Sequence, residues 1–327
     1  MLPACENDKA WASREVRWML EGILERRNRP AHYFPRPSSS GMASRGYLPV
    51  SDMDPSVEDL CTKAEAARLE SWVHKRSVEK MPLQYILGSQ PFCGFELKVK
   101  PPTLIPRWET EEWTIRIAEI LHPHLQARVA SPASRSNPFR ILDLCTGTGC
   151  VGIGLAYLLP DNSVHVTAGD IAKSAVNLAR INTRRVGIPP SAIDVRWVDV
   201  WGDGVMQHLG AGPDGQPQFD LVVSNPPYVT PEEYANLDDN VRLWEDHGAL
   251  VAEKNGTAFH ERIAKCASKF LLRKDAHGGK CHGLPRIVLE IGESQGAAVA
   301  KFVEAAGFQN VQVWQDLAKA DRCVVGY

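Results

Sequence analysis

FRILDLCTGTGCVG, residues 139–152, is the stretch that decides the fold of this chain. Its first half, residues 139–144, is rich in Ile and Leu, which is typical of a buried strand. Its second half contains Gly147, Gly149 and Gly152 in the spacing GxGxxG. A glycine-rich turn from a strand into a helix lets the backbone approach a ligand closely at the carboxyl edge of a parallel sheet. We therefore predict an α/β fold with a ligand at the end of this strand.

Strands and helices alternate around and beyond this stretch. We predict strands at 139–144, 163–169, 193–199, 219–224, 285–291, 309–314 and 321–326. We predict helices at 109–121, 150–159, 172–186, 257–273 and 294–306. This alternation indicates a Rossmann-like, doubly wound sheet of seven mainly parallel strands. Loops rich in Gly, Pro, Ser and Asp, at 127–138, 207–218 and 274–284, are predicted to be solvated insertions.

The beginning of the chain has a different character. Apolar residues at helical spacing predict helices at 9–28 and 56–80, separated by a linker from Pro30 to Pro55 that is rich in Pro, Ser and Gly. Alternating apolar residues predict a short β element at 92–106. We therefore expect a small helical N-terminal domain at 1–90, a β-hairpin-like element at 91–108 and the α/β domain at 109–327.

Composition excludes several classes of protein. A net charge of −2 over 327 residues argues against a protein whose affinity depends on wrapping duplex nucleic acid. Eight cysteines without a CxxC pair are typical of reduced thiols in a reducing compartment. The chain has no run of 18 apolar residues and no visible secretory signal. Cys266, His277, Cys281 and His282 match no zinc spacing, so no metal is predicted.

Three acids at successive strand ends indicate what the glycine loop binds. The spacing GxGxxG alone would allow a nicotinamide dinucleotide. Asp143, however, lies four residues before Gly147, where it suits an ammonium group and would repel a pyrophosphate. Asp170 is placed to accept hydrogen bonds from ribose hydroxyls, and Asp199 suits an adenine amino group. We therefore predict S-adenosylmethionine (SAM), held by these acids and by the loop Cys145, Thr146, Gly147, Thr148 and Gly149.

A second motif, Asn225-Pro226-Pro227-Tyr228, ends the predicted strand at 219–224. Proline has no N–H and a fixed φ, so the strand stops there with its carbonyls free and rigid. The Asn225 side chain and the Pro226 carbonyl supply two acceptors, and Tyr228 supplies an aromatic face. This set can hold a planar –NH2 group, with Pro227 stiffening the turn. The motif therefore predicts chemistry on an amide or amino nitrogen.

Taken together, the two motifs resemble those of class I SAM-dependent methyltransferases with an Asn-Pro-Pro-Tyr site, which include N6-adenine DNA methyltransferases and protein glutamine methyltransferases. Four further stretches resemble the PrmC/HemK family of protein glutamine methyltransferases. They are Pro82–Gly88, Leu104–Glu112, Glu290–Gly296 and Asp316–Gly326. The variant Arg-Trp-Glu-Thr-Glu-Glu at 107–112 is similar to the fungal mitochondrial branch.

The resemblance implies N5-methylation of the glutamine in the Gly-Gly-Gln loop of a class I peptide-chain release factor. It also implies that the N-terminal domain helps to dock that factor, that Arg107 and Glu109 bind the substrate, and that Asn225 also borders SAM. Val200 lies where relatives carry an adenine-contacting Trp, so either Val200 or Trp201 is expected to line the adenine pocket. We expect a monomer that is located in mitochondria, or otherwise in the cytoplasm, and that contacts no nucleic acid directly and no membrane.

Other functions remain open from the residues alone. An N6-adenine nucleic-acid methyltransferase would use the same Asn-Pro-Pro-Tyr site but would need a basic recognition region. A nicotinamide-dependent oxidoreductase would need a second catalytic set such as Ser-Tyr-Lys, which the sequence does not show. A SAM-binding protein without catalysis would have no need of an intact Asn-Pro-Pro-Tyr motif.

Overall fold

The computed structural model describes residues 8–28, 61–129, 137–212, 215–273 and 283–327. The chain divides into two compact units between Leu87 and Gly88. The first unit contains helices α1 (Lys9–Asn28), α2 (Lys63–Ser77) and α3 (Leu83–Leu87). The predicted linker from Pro30 to Pro55 lies outside the described residues, as do His277, Cys281 and His282. Within the described ranges, none of the helices combines the length and the apolar character that crossing a bilayer requires.

The helices of the first unit enclose their own small core. Its fully or nearly buried members are Met19, Ile23, Leu69, Trp72, Leu83 and Ile86. A buried ion pair also joins α1 to α2, because Arg76 donates to both carboxylate oxygens of Glu15 at 2.8 and 2.9 Å. Helix α2 begins later than the predicted 56–80, at a capping box formed by Thr62 and Glu65. Such a box satisfies two backbone N–H groups that the first turn leaves without partners.

The second unit begins with a β-hairpin, made of β1 (Ser89–Phe92) and β2 (Phe95–Lys98). It starts earlier and ends earlier than the predicted element at 92–106. The reason is the turn Cys93-Gly94, whose φ angles of 49° and 82° are both positive. Two left-handed residues make the tight turn that matches the twist of antiparallel strands, so the strands pair directly on either side of it.

The remaining elements follow the predicted alternation. They are α4 (Trp108–Val129), β3 (Phe139–Leu144), α5 (Cys150–Leu158), β4 (Val164–Asp170), α6 (Lys173–Val186), β5 (Ile193–Trp197), α7 (Asp203–Gly210), β6 (Leu221–Ser224), α8 (Pro231–Ala235), α9 (Asp239–Arg242), α10 (His247–Leu250), a turn at Glu253–Gly256, α11 (Ala258–Cys266), a π-helical turn at Ala267–Leu271, β7 (Ile287–Glu290), α12 (Gly296–Ala305), β8 (Gln312–Gln315) and β9 (Asp321–Gly326).

These elements form one sheet of seven strands in the order β5-β4-β3-β6-β7-β9-β8. Strands β3 to β7 are parallel, and β9 runs antiparallel to both β7 and β8. Alternate residues of β3 belong to different core clusters: Ile141 packs on one face of the sheet and Leu142 on the other. The sheet is therefore covered on both faces, and the predicted α/β fold with seven mainly parallel strands is confirmed.

Three predicted boundaries are wrong for reasons of packing. Helix α4 runs on to Val129, because Leu125 is still buried in the core. Helix α7 occupies the start of the predicted loop at 207–218, because Met206 and Leu209 bury one face of it. The predicted helix at 257–273 is α-helical only to Cys266 and ends in the π-helical turn. The domain boundaries at 90 and 108 stay a prediction.

Candidate active site

Three neighbouring parallel strands bring the two predicted motifs to one edge of the sheet. Strand β3 lies between β4 and β6, and Leu144 pairs with Gly169 on one side and with Ser224 on the other. The glycine loop therefore follows β3 directly beside the Asn225 motif that follows β6. From β3 the chain continues to β4 on one side of the sheet and later returns to place β6 on the other side. Doubly wound sheets bind their ligands at such a reversal of strand order, outside the carboxyl ends of the strands.

The glycine loop has the backbone shape that its sequence predicts. Cys145, Gly147 and Gly149 all have positive φ angles, of 58°, 57° and 86°. A Cβ atom at Gly149 would come within 2.9 Å of the Ile153 side chain, so this glycine allows α5 to pack closely. A Cβ atom at Gly147 would meet nothing nearer than 4.0 Å. The loop is therefore packed tightly on its helix side and open at Gly147.

Asp143, near the end of β3, holds this loop through hydrogen bonds. Its carboxylate is only 1% exposed. Its Oδ2 atom accepts hydrogen bonds from the Thr146 hydroxyl at 2.5 Å and from the Gly152 backbone N–H at 3.0 Å. Burial is the main reason that the pKa of Asp143 rises to about 7. These contacts give Asp143 a role in holding the loop, and its predicted contact with the SAM ammonium group stays a prediction.

The other two acids lie nearer the surface. Asp170 accepts hydrogen bonds from the backbone N–H groups of Gly147 at 2.9 Å and Ala172 at 2.8 Å. Burial raises the pKa of Asp170, and repulsion by the Asp246 carboxylate adds to the rise. Asp199 is half-buried and accepts from the backbone N–H of Trp201 at 2.9 Å. Asp170 therefore lies directly against Gly147, and the Asp246 carboxylate is close enough to Asp170 to repel its charge.

The two residues expected at the adenine pocket differ in their surroundings. Val200 is 5% exposed and packs in the core of the sheet with Met206 and Leu209. Trp201 is 51% exposed, and its ring meets that of Phe259 edge-on, with centroids 5.2 Å apart. Trp201 therefore has more surface to offer a ligand than Val200. Of the other predicted loop contacts, Thr148 is buried, and its carbonyl accepts from the Asn182 side chain at 2.9 Å.

The set of groups around the loop fits SAM. Asp170, Asp199 and Asp246 provide carboxylates, and a ligand carrying a sulfonium and an ammonium group would be attracted to them. The same carboxylates would repel the diphosphate of a dinucleotide. Gly147 leaves the backbone free for close approach. These residues would hold SAM at the carboxyl ends of β3, β4 and β5.

Backbone contacts hold the Asn225-Pro226-Pro227-Tyr228 motif in place. Pro226 and Pro227 are buried, whereas Asn225 and Tyr228 are half-buried. The backbone N–H groups of Tyr228 and Val229 both donate to the carbonyl of Leu250, at 3.1 and 2.9 Å. The motif is therefore anchored to the end of helix α10 as well as to its own strand. The side chains of Asn225 and Tyr228 stay partly exposed.

A buried carboxylate lies directly behind the motif. Glu290 is 1% exposed, and its Oε2 atom accepts from Thr110 Oγ1 and from Trp113 Nε1, each at 2.7 Å. Its Oε1 atom lies 3.4 Å from the Tyr228 hydroxyl, which donates to it. The side-chain Nδ2 of Asn225 donates to Thr110 Oγ1 at 3.3 Å. Glu290 and Thr110 thus connect both ends of the motif to helix α4.

Neither Glu290 nor Thr110 was assigned to the site from the sequence, although both lie in family-like stretches. A signal for Glu290 was available. It ends β7, and β7 pairs with β6 so that Leu289 lies opposite Ser224. An acid at a strand end beside Asn225 meets the same criterion that selected Asp170 and Asp199. Burial raises the pKa of Glu290, and hydrogen bonds from Trp113 and Thr110 oppose the rise.

His260 packs behind this cluster. His260 is fully buried, and its Nε2 atom lies 2.8 Å from the backbone carbonyl of Glu290. Burial lowers the pKa of His260 to about 4, so its ring is neutral near pH 7. The residue therefore belongs to the core behind the site.

The two predicted substrate-binding residues have different environments. Arg107 donates through one guanidinium nitrogen to both carboxylate oxygens of Glu245, at 2.7 and 2.8 Å. The Glu245 side chain is 1% exposed, whereas that of Arg107 is 34% exposed. This pair fixes the segment that follows the motif. Glu109 is half-buried. Burial and the Glu290 carboxylate raise the pKa of Tyr228, and the charge of Glu109 adds to the rise.

Comparison with known proteins agrees with this geometry. The family described as "Methyltransferase small domain" matches residues 118–241. The release factor glutamine methyltransferase of Cereibacter sphaeroides is 35% identical over 79% of this chain and 78% of that protein. The probable MRF1 mitochondrial N(5)-glutamine methyltransferase mtq1 of Schizosaccharomyces pombe is 31% identical over 75% of this chain and 74% of that protein.

Solved structures are similar at a lower level. The hMettl16 catalytic domain in complex with the MAT2A 3'UTR hairpin 6 has a TM-score of 0.48 and 15% identity, covering 81% of this chain and 82% of that chain.

Proposed function

The chain belongs to the release factor glutamine methyltransferase family, and we propose that it methylates the side-chain amide nitrogen of the glutamine in the Gly-Gly-Gln loop of a class I peptide-chain release factor. It is an α/β methyltransferase, and its methyl donor is SAM. The observation that supports the proposal most is the 35% identity to a release factor glutamine methyltransferase across more than three quarters of both chains. The intact Asn225–Tyr228 motif beside the glycine loop agrees with it.

The proposed chemistry begins with holding the substrate amide. The Asn225 side-chain oxygen accepts one amide hydrogen, and the Pro226 carbonyl accepts the other. The ring of Tyr228 packs against the plane of the amide, and Pro227 keeps the turn rigid. When bound, SAM supplies a methyl group made electrophilic by its positive sulfur. Such orientation contributes roughly 7–11 kcal/mol when the bound pose is near the attack geometry.

The same acceptors assist the transfer itself. A carboxamide nitrogen is a poor nucleophile because its lone pair is delocalised. As the nitrogen gains the methyl group it becomes positive, and the oxygens of Asn225 and Pro226 stabilise this charge because they are already aimed at its hydrogens. The nitrogen then loses one proton to solvent, so no strong general base is required.

The proposal also covers how the release factor is bound and where the enzyme acts. The N-terminal helical unit is proposed to help dock the release factor, and the enzyme is proposed to act as a monomer, without contact with nucleic acid or membrane. A mitochondrial location is supported by the resemblance to the fungal mitochondrial branch and by the S. pombe relative, which is named as a probable mitochondrial methyltransferase. Imaging of the tagged full-length chain checks the compartment: we expect overlap with a matrix marker, and a purely cytoplasmic signal would contradict it.

Labelled methyl transfer tests the proposed function. The enzyme is incubated with methyl-labelled SAM and one of three substrates: a class I release factor, the same factor with Gln→Ala in its Gly-Gly-Gln loop, or an adenine-containing oligonucleotide. We expect label only in the unchanged factor. Equal label in both factors, or in neither, would contradict the glutamine assignment. Label in the oligonucleotide alone would support the N6-adenine alternative instead.

A further inference from the structure

We propose that Thr110 and Glu290 act as positioning residues that set which way the side-chain amide of Asn225 faces. This inference rests on the proposed function, in which Asn225 must present its oxygen, and not its NH2 group, to the substrate amide. The two ends of an asparagine amide have the same size, so packing alone selects between them poorly. A polar neighbour with a fixed donor or acceptor role is needed to do so.

The hydrogen bonds around Glu290 fix that role for Thr110. The indole N–H of Trp113 can only donate, and it lies 2.7 Å from Glu290 Oε2. The Thr110 hydroxyl lies 2.7 Å from the same oxygen. With Oε2 accepting from both neighbours, the single proton of the Thr110 hydroxyl is directed at Glu290. The face of the hydroxyl that looks toward Asn225 then offers only lone pairs.

A group that offers only lone pairs selects the NH2 end of Asn225. The Nδ2 atom of Asn225 lies 3.3 Å from Thr110 Oγ1, in agreement with this assignment. The Oδ1 atom is consequently turned away from Thr110. Both Thr110 and Glu290 are 1% exposed, so water does not compete for these bonds. The oxygen that accepts the substrate N–H is therefore presented before the substrate arrives.

The reversed arrangement would impair the reaction. If Asn225 presented its NH2 group, it would place a donor against the hydrogens of the substrate amide. The NH2 group would also repel the positive charge that develops on the substrate nitrogen during methyl transfer. The enzyme would then have to rotate the side chain in every catalytic cycle. Thr110 lies in the first turn of helix α4, and Glu290 ends β7, so the orientation is fixed by elements outside the motif.

Removal of the hydroxyl tests this proposal. Thr110→Val is close in shape but lacks the hydroxyl, Thr110→Ala removes it without branching, and Thr110→Ser keeps it. We expect Val and Ala to lower kcat for the release factor by about tenfold or more, since the Asn225 amide then loses the partner that fixes its direction. We expect Ser to stay within about threefold. SAM affinity, measured by calorimetry, is expected to stay within about twofold of the wild type in all three.

A double-mutant cycle separates orientation from general support. In an Asn225→Asp background both side-chain oxygens are acceptors, so the direction of the group no longer matters. We expect Thr110→Val to cost much less in this background than beside Asn225. The same fold-loss in both backgrounds would overturn the proposal.

A readout that needs no activity completes the test. In protein labelled with 15N-asparagine, the side-chain NH2 resonance of Asn225 is identified by its loss in Asn225→Asp. We expect this resonance to move in Thr110→Val and Thr110→Ala and to stay near its wild-type position in Thr110→Ser. An unchanged resonance in all three variants would overturn the proposal. If the wild type fails to methylate release factor, the proposed function fails, while this spectrum still decides the role of Thr110.

Discussion

The side chain of Gln295 ties the carbonyl of Tyr228 to a neighbouring turn. Its Nε2 atom donates to the Tyr228 carbonyl at 2.8 Å and to the Asn255 carbonyl at 3.1 Å. The turn is unusual because Lys254, Asn255 and Gly256 all have positive φ angles. A Cβ atom on Gly256 would lie only 2.0 Å from the Tyr228 carbonyl oxygen. The last residue of the motif is therefore held by a close contact that only glycine allows.

Gly256→Ala should destabilise the protein by more than the cost of placing alanine at a positive φ angle, because the added Cβ atom would also collide with the Tyr228 carbonyl. Gly187 has a similar φ of 81°, but a Cβ atom there would meet nothing within 4 Å. Gly187→Ala therefore serves as the matched control, with an expected loss of about 1–2 kcal/mol from the left-handed conformation alone. We expect Gly256→Ala to lose clearly more stability in urea unfolding and also most of its methyl transfer activity. Equal losses in the two variants would contradict the close contact.

Asn225→Ala tests the acceptor that the mechanism requires. We expect kcat to fall by about two to three orders of magnitude, as for the loss of one preorganised group that stabilises transition-state charge. The unfolding free energy should change little, because the hydrogen bond from the Asn225 side chain to Thr110 is long, at 3.3 Å. Asn236→Ala, at an exposed position in the same connection, is the control. Near-normal turnover of Asn225→Ala would remove this residue from the mechanism.

The sheet and both motifs could be predicted because their signals are local. The β-branched strand before Asn225 and the glycine spacing after Leu144 each lie within a few residues. The partners of these residues could not be predicted in the same way. Thr110 meets Asn225 across 115 positions of sequence, and Arg107 meets Glu245 across 138. Such contacts depend on where the helices pack on the sheet.

Asp143 shows a second limit of the sequence. Its position before the glycine loop predicted a contact with the ligand, yet its carboxylate accepts hydrogen bonds from Thr146 and Gly152. A carboxylate at this position can support a loop or meet a cation, and the spacing is the same for both. Glu290 shows the converse case, since its strand-end position is as clear as that of Asp170 but was read only as part of a family-like stretch.

Asp143→Asn should change how stability depends on pH. The pKa of Asp143 rises from 3.8 to about 7 in the folded chain. The folded state therefore binds a proton more tightly than the unfolded state. This contribution to stability is fully present below pH 3.8 and is lost as the pH rises through about 7.

The asparagine oxygen can accept the same two hydrogen bonds, from Thr146 and Gly152, without a charge. We therefore expect the variant to gain stability relative to the wild type as the pH rises from about 4 to about 7. Urea unfolding at several pH values measures this difference. A constant difference across the window would contradict a raised pKa at Asp143.

Arg107 and Glu245 should depend on each other for stability. Arg107→Met leaves the buried Glu245 carboxylate without its guanidinium, and we expect a loss of about 3 kcal/mol in unfolding free energy, at the low end for such pairs because Arg107 is partly exposed. The double variant Arg107→Met with Glu245→Gln should recover part of this loss, since no charge is then buried. The single variant Glu245→Gln is measured as well. If the losses of unfolding free energy in the two single variants simply add in the double variant, Arg107 and Glu245 do not act as a unit.

Locating the transferred methyl group tests the central claim most directly. The enzyme is incubated with SAM and a class I release factor, and the factor is then digested and mapped by tandem mass spectrometry. We predict a single methyl group on the side-chain nitrogen of the glutamine in the Gly-Gly-Gln loop, absent when Asn225→Ala replaces the wild type. A methyl group on any other residue of the factor, or its absence with the wild-type enzyme, would contradict the assignment.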